Sequence, residues 1–184
     1  ILLAYSGVDK LSEGKNIIKK VSDNVEIIIN NNLQSLHTLA DQIKESRSIF
    51  LIGRELAYPS ALEGALKIKE VSYIHAEGFA GGELKHGTIA LIEKNTPVIV
   101  LCTESTQNLI LSNAMEVKSR GAYIIGLSEK PNELFDYFIS VPSFSLADPI
   151  AFIIPIQILA YYLAIARGCD PDKPRNLAKS VTVK

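Results

Sequence analysis

The chain has 184 residues, 47% hydrophobic and 21% charged, enough for one globular domain with its own core and no disulfide or structural metal. With 19 basic against 20 acidic residues the formal net charge is −1, which lacks the basic excess of a nucleic-acid binder. Cys102 and Cys169 make neither a CxxC pair nor a disulfide framework, so both are expected as reduced thiols of a cytoplasmic protein.

Ile1 to Gly7 reads as the stump of an apolar element, and a start at isoleucine suggests a piece of a longer chain. Helical spacing runs from Leu11 to Ser46, with Asn30 to Asn32 expected to break it into two helices. Ser48 to Gly53 ("SIFLIG") is a buried strand closed by glycine. Ser60 is read as the N-cap of the next helix, with Glu63 completing a capping box. A glycine-rich segment follows. Pro97 to Cys102 is a second strand, which buries Cys102, and Thr106 to Arg120 an amphipathic helix stopped by Gly121. Ala122 to Leu127 and Tyr137 to Val141 are two more strands, and Gly168 to Lys184 shows no clear period. Apolar strands alternating with helices predict an α/β fold, a three-layer α-β-α sandwich on a mainly parallel sheet.

Pro149 to Ala166 is 18 residues long with Gln157 as its one strongly polar side chain, which reaches the length of a membrane span. Its two prolines and the lack of a basic flank point instead to a buried central helix or an oligomer interface.

The chemistry-bearing stretch is "ALEGALKIKEVSYIHAEGFAGGELKHG", Ala61 to Gly87. Glu63, Lys67 and Glu70 lie at i, i+4 and i+7 and share one helix face. Such a stripe is often only a solvated ion-pair ladder. Two features favour a site. The helix follows a strand, so its N-terminal end faces the carboxyl-edge crevice where open α/β sheets bind ligands. Gly78, Gly81, Gly82 and Gly87 permit close backbone approach around Glu83, Lys85 and His86. His75, near the helix end, reads as a structural histidine, whereas His86 sits in an exposed loop where an imidazole can act. No histidine pairs with another at metal-ligand spacing, and neither a GxSxG elbow nor a dinucleotide fingerprint is present. The hydroxyls of "TEST", Thr103 to Thr106, are read as an ordinary loop.

That stretch and the terminal "DPDKPRNLAKSVTVK" closely resemble the glucosamine-6-phosphate synthase (glutamine–fructose-6-phosphate aminotransferase) family, in its second sugar isomerase (SIS) domain. The resemblance implies a helical connector over residues 1–46, leading from a missing first SIS domain. Residues 47–184 would be the second SIS domain with a C-terminal catalytic tail. It also implies conversion of fructose 6-phosphate and ammonia into glucosamine 6-phosphate, without a metal or organic cofactor. By position, Glu70 would be the base moving a proton between C1 and C2, and Lys67 would stabilise charge on the enolic oxygen. His86 would assist ring opening, reaching into a neighbouring subunit's site. Lys179 would form a Schiff base with the open-chain ketone, with the Ala178 backbone and Glu63 close to the sugar.

The family's Ser/Thr-rich phosphate cradle belongs to the first SIS domain and its nucleophilic cysteine to a glutaminase domain. Neither has a counterpart in these residues. Thr88 stands where a proline is usual, and Glu55 where a glycine is common. A homodimer is expected from the apolar Pro149–Ala166 helix and the family's shared use of His86. The competing reading is a lone SIS domain serving as a non-catalytic sugar-phosphate sensor or scaffold, for which a base and a Schiff-base lysine would be superfluous.

Overall fold

Short apolar runs have nothing to offer water on either side, and here they stack into a parallel sheet covered on both faces. In the computed structural model, which describes residues 8–176, the strands are β1 (Ser48–Gly53), β2 (His75–Ala80), β3 (Pro97–Leu101), β4 (Tyr123–Ser128) and β5 (Tyr137–Ser140). They pair in the order β2-β1-β3-β4-β5, all parallel, with Ser48 opposite His75 and Phe50 opposite Val98. The helices are α1 (Val8–Ile43), α2 (Ala57–Ser72), α3 (Gln107–Lys118) and α4 (Asp148–Ala166). Alternation of side chains along each strand sorts the core into two clusters. Ile49, Leu51, Ile99 and Leu101 meet α1, α2 and α4 on one face. Phe50, Ile52, Val98 and Val100 meet α3 and Leu84 on the other. The result is the expected three-layer sandwich.

The apolar run near the C-terminus is α4, and it is the central helix of its layer. Phe152, Ile156, Leu159 and Leu163 are buried between α1, α2 and the sheet, while Ile150, Tyr161 and Ile165 remain 45–50% exposed on its outer side. Gly64 of α2 makes this packing possible, since a Cβ there would stand 2.9 Å from side-chain atoms of both Ile156 and Leu51.

Three expectations are corrected. The Asn30–Asn32 triplet does not break α1, which is one continuous helix of 36 residues. Asn30 and Asn31 face solvent at a propensity cost of a few tenths of a kcal/mol each. Asn32 is buried, and its Nδ2 donates to Ile28 O at 2.8 Å and to Ser140 O at 2.9 Å, bolting α1 to the end of β5. Ser60 is not an N-cap. The helix already begins at Ala57, and the Ser60 hydroxyl donates to Pro149 O at 3.0 Å, so Glu63 takes part in no capping box. The glycine-rich segment opens with a strand, β2, at the sheet edge. Gly78 within it lets α2 lie close, because a Cβ there would stand 2.6 Å from Ala61 O.

At the amino edge of the sheet one cation gathers the ends of three helices. Arg167, just past α4, donates from Nε to Ser72 O at 2.9 Å and from Nη1 to Lys44 O. Asn32→Ala is expected to lower stability by about 1 kcal/mol, because the tie between α1 and the end of β5 is lost. Urea unfolding followed by circular dichroism would show it, and an unchanged midpoint would mean that α1 does not depend on this bolt.

Candidate functional site

Glu63, Lys67 and Glu70 do occupy one side of α2. Lys67 Nζ stands 2.8 Å from Glu70 Oε2 and 3.4 Å from Glu63 Oε1, so one ammonium bridges two carboxylates. Lys67 and Glu70 are about 30% exposed, more sheltered than Glu63 at 48%. The Lys67 pKa is raised, chiefly by its hydrogen bond to Glu70, against a partial opposing effect of burial and with help from the charges of both carboxylates. Lys67 therefore remains a cation at neutral pH and is unsuited to act as a base.

The position of the stripe follows from topology. A helix joining two parallel neighbours must run back against them, so α2 starts at the carboxyl edge of β1 and ends where β2 begins. Glu70 lies 13 residues after Ala57, about 20 Å along the axis from the crevice end of the helix. The carboxyl-edge crevice thus faces the start of α2, as expected, but it does not contain Glu70. What does come close to the Glu70 end of α2 is the segment after α4. Tyr73 OH accepts the backbone N–H of Arg175 at 2.9 Å, and the Arg175 guanidinium lies 4.1 Å above the Tyr73 ring. Ala178 and Lys179 lie outside the described residues. Lys179 follows Arg175 by four residues, a stretch that spans at most about 14 Å.

His86 goes elsewhere. It ends a 3₁₀ turn, Gly81–His86, that folds onto the α3 face of the sheet. Leu84 is fully buried there, Lys85 Nζ pairs with Glu116 Oε1 of α3 at 2.8 Å, and Gly81 packs against Asn113 Oδ1. Asn113 Oδ1 also accepts from Arg54 Nε at 3.0 Å. These contacts leave Glu83 and His86 exposed, and among the four glycines only Gly87 needs a positive φ, at 142°. One chain therefore holds Glu70 and His86 on opposite faces of its sheet. His75 is not the satisfied structural residue expected. It opens β2 with its side chain 63% exposed, 3.8 Å from Glu77 Oε2.

Two further places hold polar or reactive side chains. At the carboxyl ends of β3 and β4 a cleft of about 80 Å³ is lined by Thr103, Glu104, Ser128, Ser143 and Asp148, among others. Thr103 and Thr106 hydroxyls bond each other at 2.7 Å, and Asp148 is a buried carboxyl whose pKa is raised mainly by burial. Paired hydroxyls among carboxylates suit no phosphate, so "TEST" is a loop and not a cradle. Cys102 is buried beside it, and burial pushes its thiol up to about 11, which keeps it protonated and unreactive.

The family model described as "SIS domain" matches residues 42–166. The chain belongs to the SIS domain family. Among curated relatives, the glutamine–fructose-6-phosphate aminotransferase [isomerizing] of Thermococcus kodakarensis is 44% identical over 187 residues, covering 100% of this chain and 31% of that protein. The protein of the same name from Halalkalibacterium halodurans is 53% identical over 157 residues, 84% of this chain and 26% of its own length. Among solved structures, the C-terminal domain of glucosamine-fructose-6-phosphate aminotransferase from Francisella tularensis superposes with a TM-score of 0.82 at 32% identity. It covers 92% of this chain and 49% of that one. This SIS domain spans less than a third of the length of these two curated relatives. The likenesses favour the isomerase-domain reading over a lone sensor.

The sequence reading missed Glu116, Asn113 and Arg54, which fix the His86 turn, and no spacing signal links them. Glu116 Oε2 is buried without a hydrogen-bond partner, so Glu116→Ala removes an ion pair and an orphaned oxygen together. Net stability should shift by under about 1 kcal/mol. Amide exchange at Glu83–Gly87 should accelerate a few-fold once the turn is unbraced, up to about fivefold for about 1 kcal/mol of local opening. Unchanged exchange would show that Leu84 alone holds it.

Proposed function

We propose that this chain is the second SIS domain of an isomerising glutamine–fructose-6-phosphate aminotransferase. Residues 1–46 then form the connector from a first SIS domain, and residues 47–184 the domain with its catalytic tail. The observation that carries this reading is the Lys67 ammonium held between Glu63 and Glu70 beside the anchored start of the C-terminal tail.

In this reading fructose 6-phosphate binds against α2 and reacts there in open-chain form. Lys179 attacks the C2 ketone, water leaves, and a Schiff base forms. For that its amine must lose its proton, which desolvation or a nearby cation would favour. Glu70 carries a proton between C1 and C2, a task for a positioned carboxylate. Lys67 offsets the negative charge that grows on the enolic oxygen, and Glu63 holds Lys67 in line while contacting sugar together with the Ala178 backbone. Ammonia from a glutaminase domain adds to the C2 imine and displaces the lysine amine before the proton moves between C1 and C2, and glucosamine 6-phosphate leaves after it. The chemistry is that of carboxylate, ammonium and amine, in line with a family that uses no added cofactor. Grip on the phosphate belongs to the first SIS domain. The setting is the cytoplasm.

His86 acts in ring opening in the site of a neighbouring copy. Its location on the α3 face, across the sheet from Glu70, supports a homodimer, as does the exposed apolar side of α4.

Glu70→Gln tests this in the full-length protein. The substitution keeps size and polarity and removes the base. Exchange of the C1 proton with solvent deuterium should fall by about 10² to 10⁴. A solvated ion-pair stripe would instead lose at most about 0.5 kcal/mol of stability and no chemistry. Exchange within about threefold of the unsubstituted protein, well under 1 kcal/mol of barrier, would overturn the assignment.

A further inference from the structure

We propose that Tyr73 is a positioning residue: a clasp that fixes where the C-terminal tail leaves the domain. The proposal rests on the reading of Lys179 as the Schiff-base residue.

Tyr73 is an unusual residue for its place. It closes α2 in the left-handed conformation, φ 61° and ψ 17°, where glycine or asparagine is the low-cost choice. A tyrosine there carries strain that its ring must offset. Among the described residues, the hydroxyl's hydrogen bond and the ring's cation–π contact both go to Arg175. Its hydroxyl accepts the Arg175 backbone N–H at 2.9 Å, and its face carries the guanidinium at 4.1 Å. Between Arg167 and Arg175 the chain loops around the C-terminal end of α2, held at Ser72 O by Arg167 and at Tyr73 by Arg175. Pro174 stiffens the approach to the second hold. Glu70 is three residues before Tyr73, about one helical turn away.

The geometry converts into a reach. From the Tyr73 hold, Lys179 is four residues out, at most about 14 Å. With that hold broken the last tie to the domain is the Cys169 backbone N–H on Ala164 O at 2.9 Å, and Lys179 is ten residues out, at most about 35 Å. The effective concentration of a tethered group falls roughly as the −3/2 power of tether length, so a tether about 2.5-fold longer dilutes the amine about fourfold near Glu70. Loss of orientation adds to this. The clasp therefore acts on how often the lysine meets the ketone. It has no part in binding the sugar.

The test uses the full-length protein and traps the lysine adduct. Lysine and the C2 ketone lose water to give an imine. Borohydride then delivers hydride to the imine carbon, water supplies a proton to nitrogen, and the stable secondary amine is located by mass spectrometry. Tyr73→Ala should slow trapping at Lys179 about fourfold or more at saturating fructose 6-phosphate, with KM nearly unchanged. Tyr73→Phe keeps the ring under Arg175 and should fall between the two. A second readout needs no activity: trypsin should cut after Arg175 faster in Tyr73→Ala, because the guanidinium is no longer laid on the ring. Should Tyr73→Ala fail to fold, Tyr73→Phe and Arg175→Ala carry the trapping comparison. Equal trapping rates at Lys179 in the unsubstituted and Tyr73→Ala proteins would overturn the clasp. If the unsubstituted protein traps no adduct, the reading of Lys179 fails. The clasp is then decided by trypsin, and unchanged cleavage overturns it.

Discussion

Six residues of an edge strand decide where this domain presents its charged side chains. β2, His75–Ala80, takes the chain from the α2 face of the sheet to the α3 face, and the charged segment is cut in two by that passage. Everything before it, Glu63, Lys67 and Glu70, is presented on the helix that covers β1 and β2. Everything after it, Glu83, Lys85 and His86, is presented on the other side. A stretch that is continuous in sequence is therefore two half-sites in space. The proposed chemistry uses both halves, and only a second copy can bring His86 to Glu70.

Each half is held by a different kind of force. On the α2 face electrostatics dominate. A lysine that stays charged keeps two carboxylates from repelling each other, and Arg167 and Arg175 place positive charge against the C-terminal end of the same helix, where the backbone dipole favours it. On the α3 face apolar burial dominates. Leu84 pins a 3₁₀ turn to the core, and the Lys85–Glu116 pair only trims its orientation. The first arrangement is sensitive to charge substitutions, and the second to changes of volume at Leu84 or Ile110.

The sheet and its layers were legible because β1, β3 and β4 are apolar throughout and flanked by helices of clear period. β2 was not, since "HAEGFA" shows neither an apolar run nor alternation, and an edge strand needs neither. The unbroken α1 was hidden for a related reason. Three asparagines argue for a turn until a distant carbonyl, Ser140 O, gives Asn32 something to hold. Ser60 looked like a cap because its partner, Pro149 O, lies 89 residues away. The stripe on α2 was visible as a pattern, but its distance from the crevice end came only from helix direction. Tyr73 and Arg175, 102 residues apart, had no local signature.

The most direct measurement is complementation between two disabled copies. Full-length protein carrying Glu70→Gln and full-length protein carrying His86→Ala are co-expressed under different tags, and the mixed dimer is isolated. In a two-fold dimer each His86 serves the partner's Glu70, so one of the two sites in the mixed dimer is intact and the other lacks both groups. Glucosamine 6-phosphate formation near half that of the unsubstituted dimer, from parents that are each nearly inactive, is the predicted result. A mixed dimer as inactive as its parents would contradict a site shared between copies.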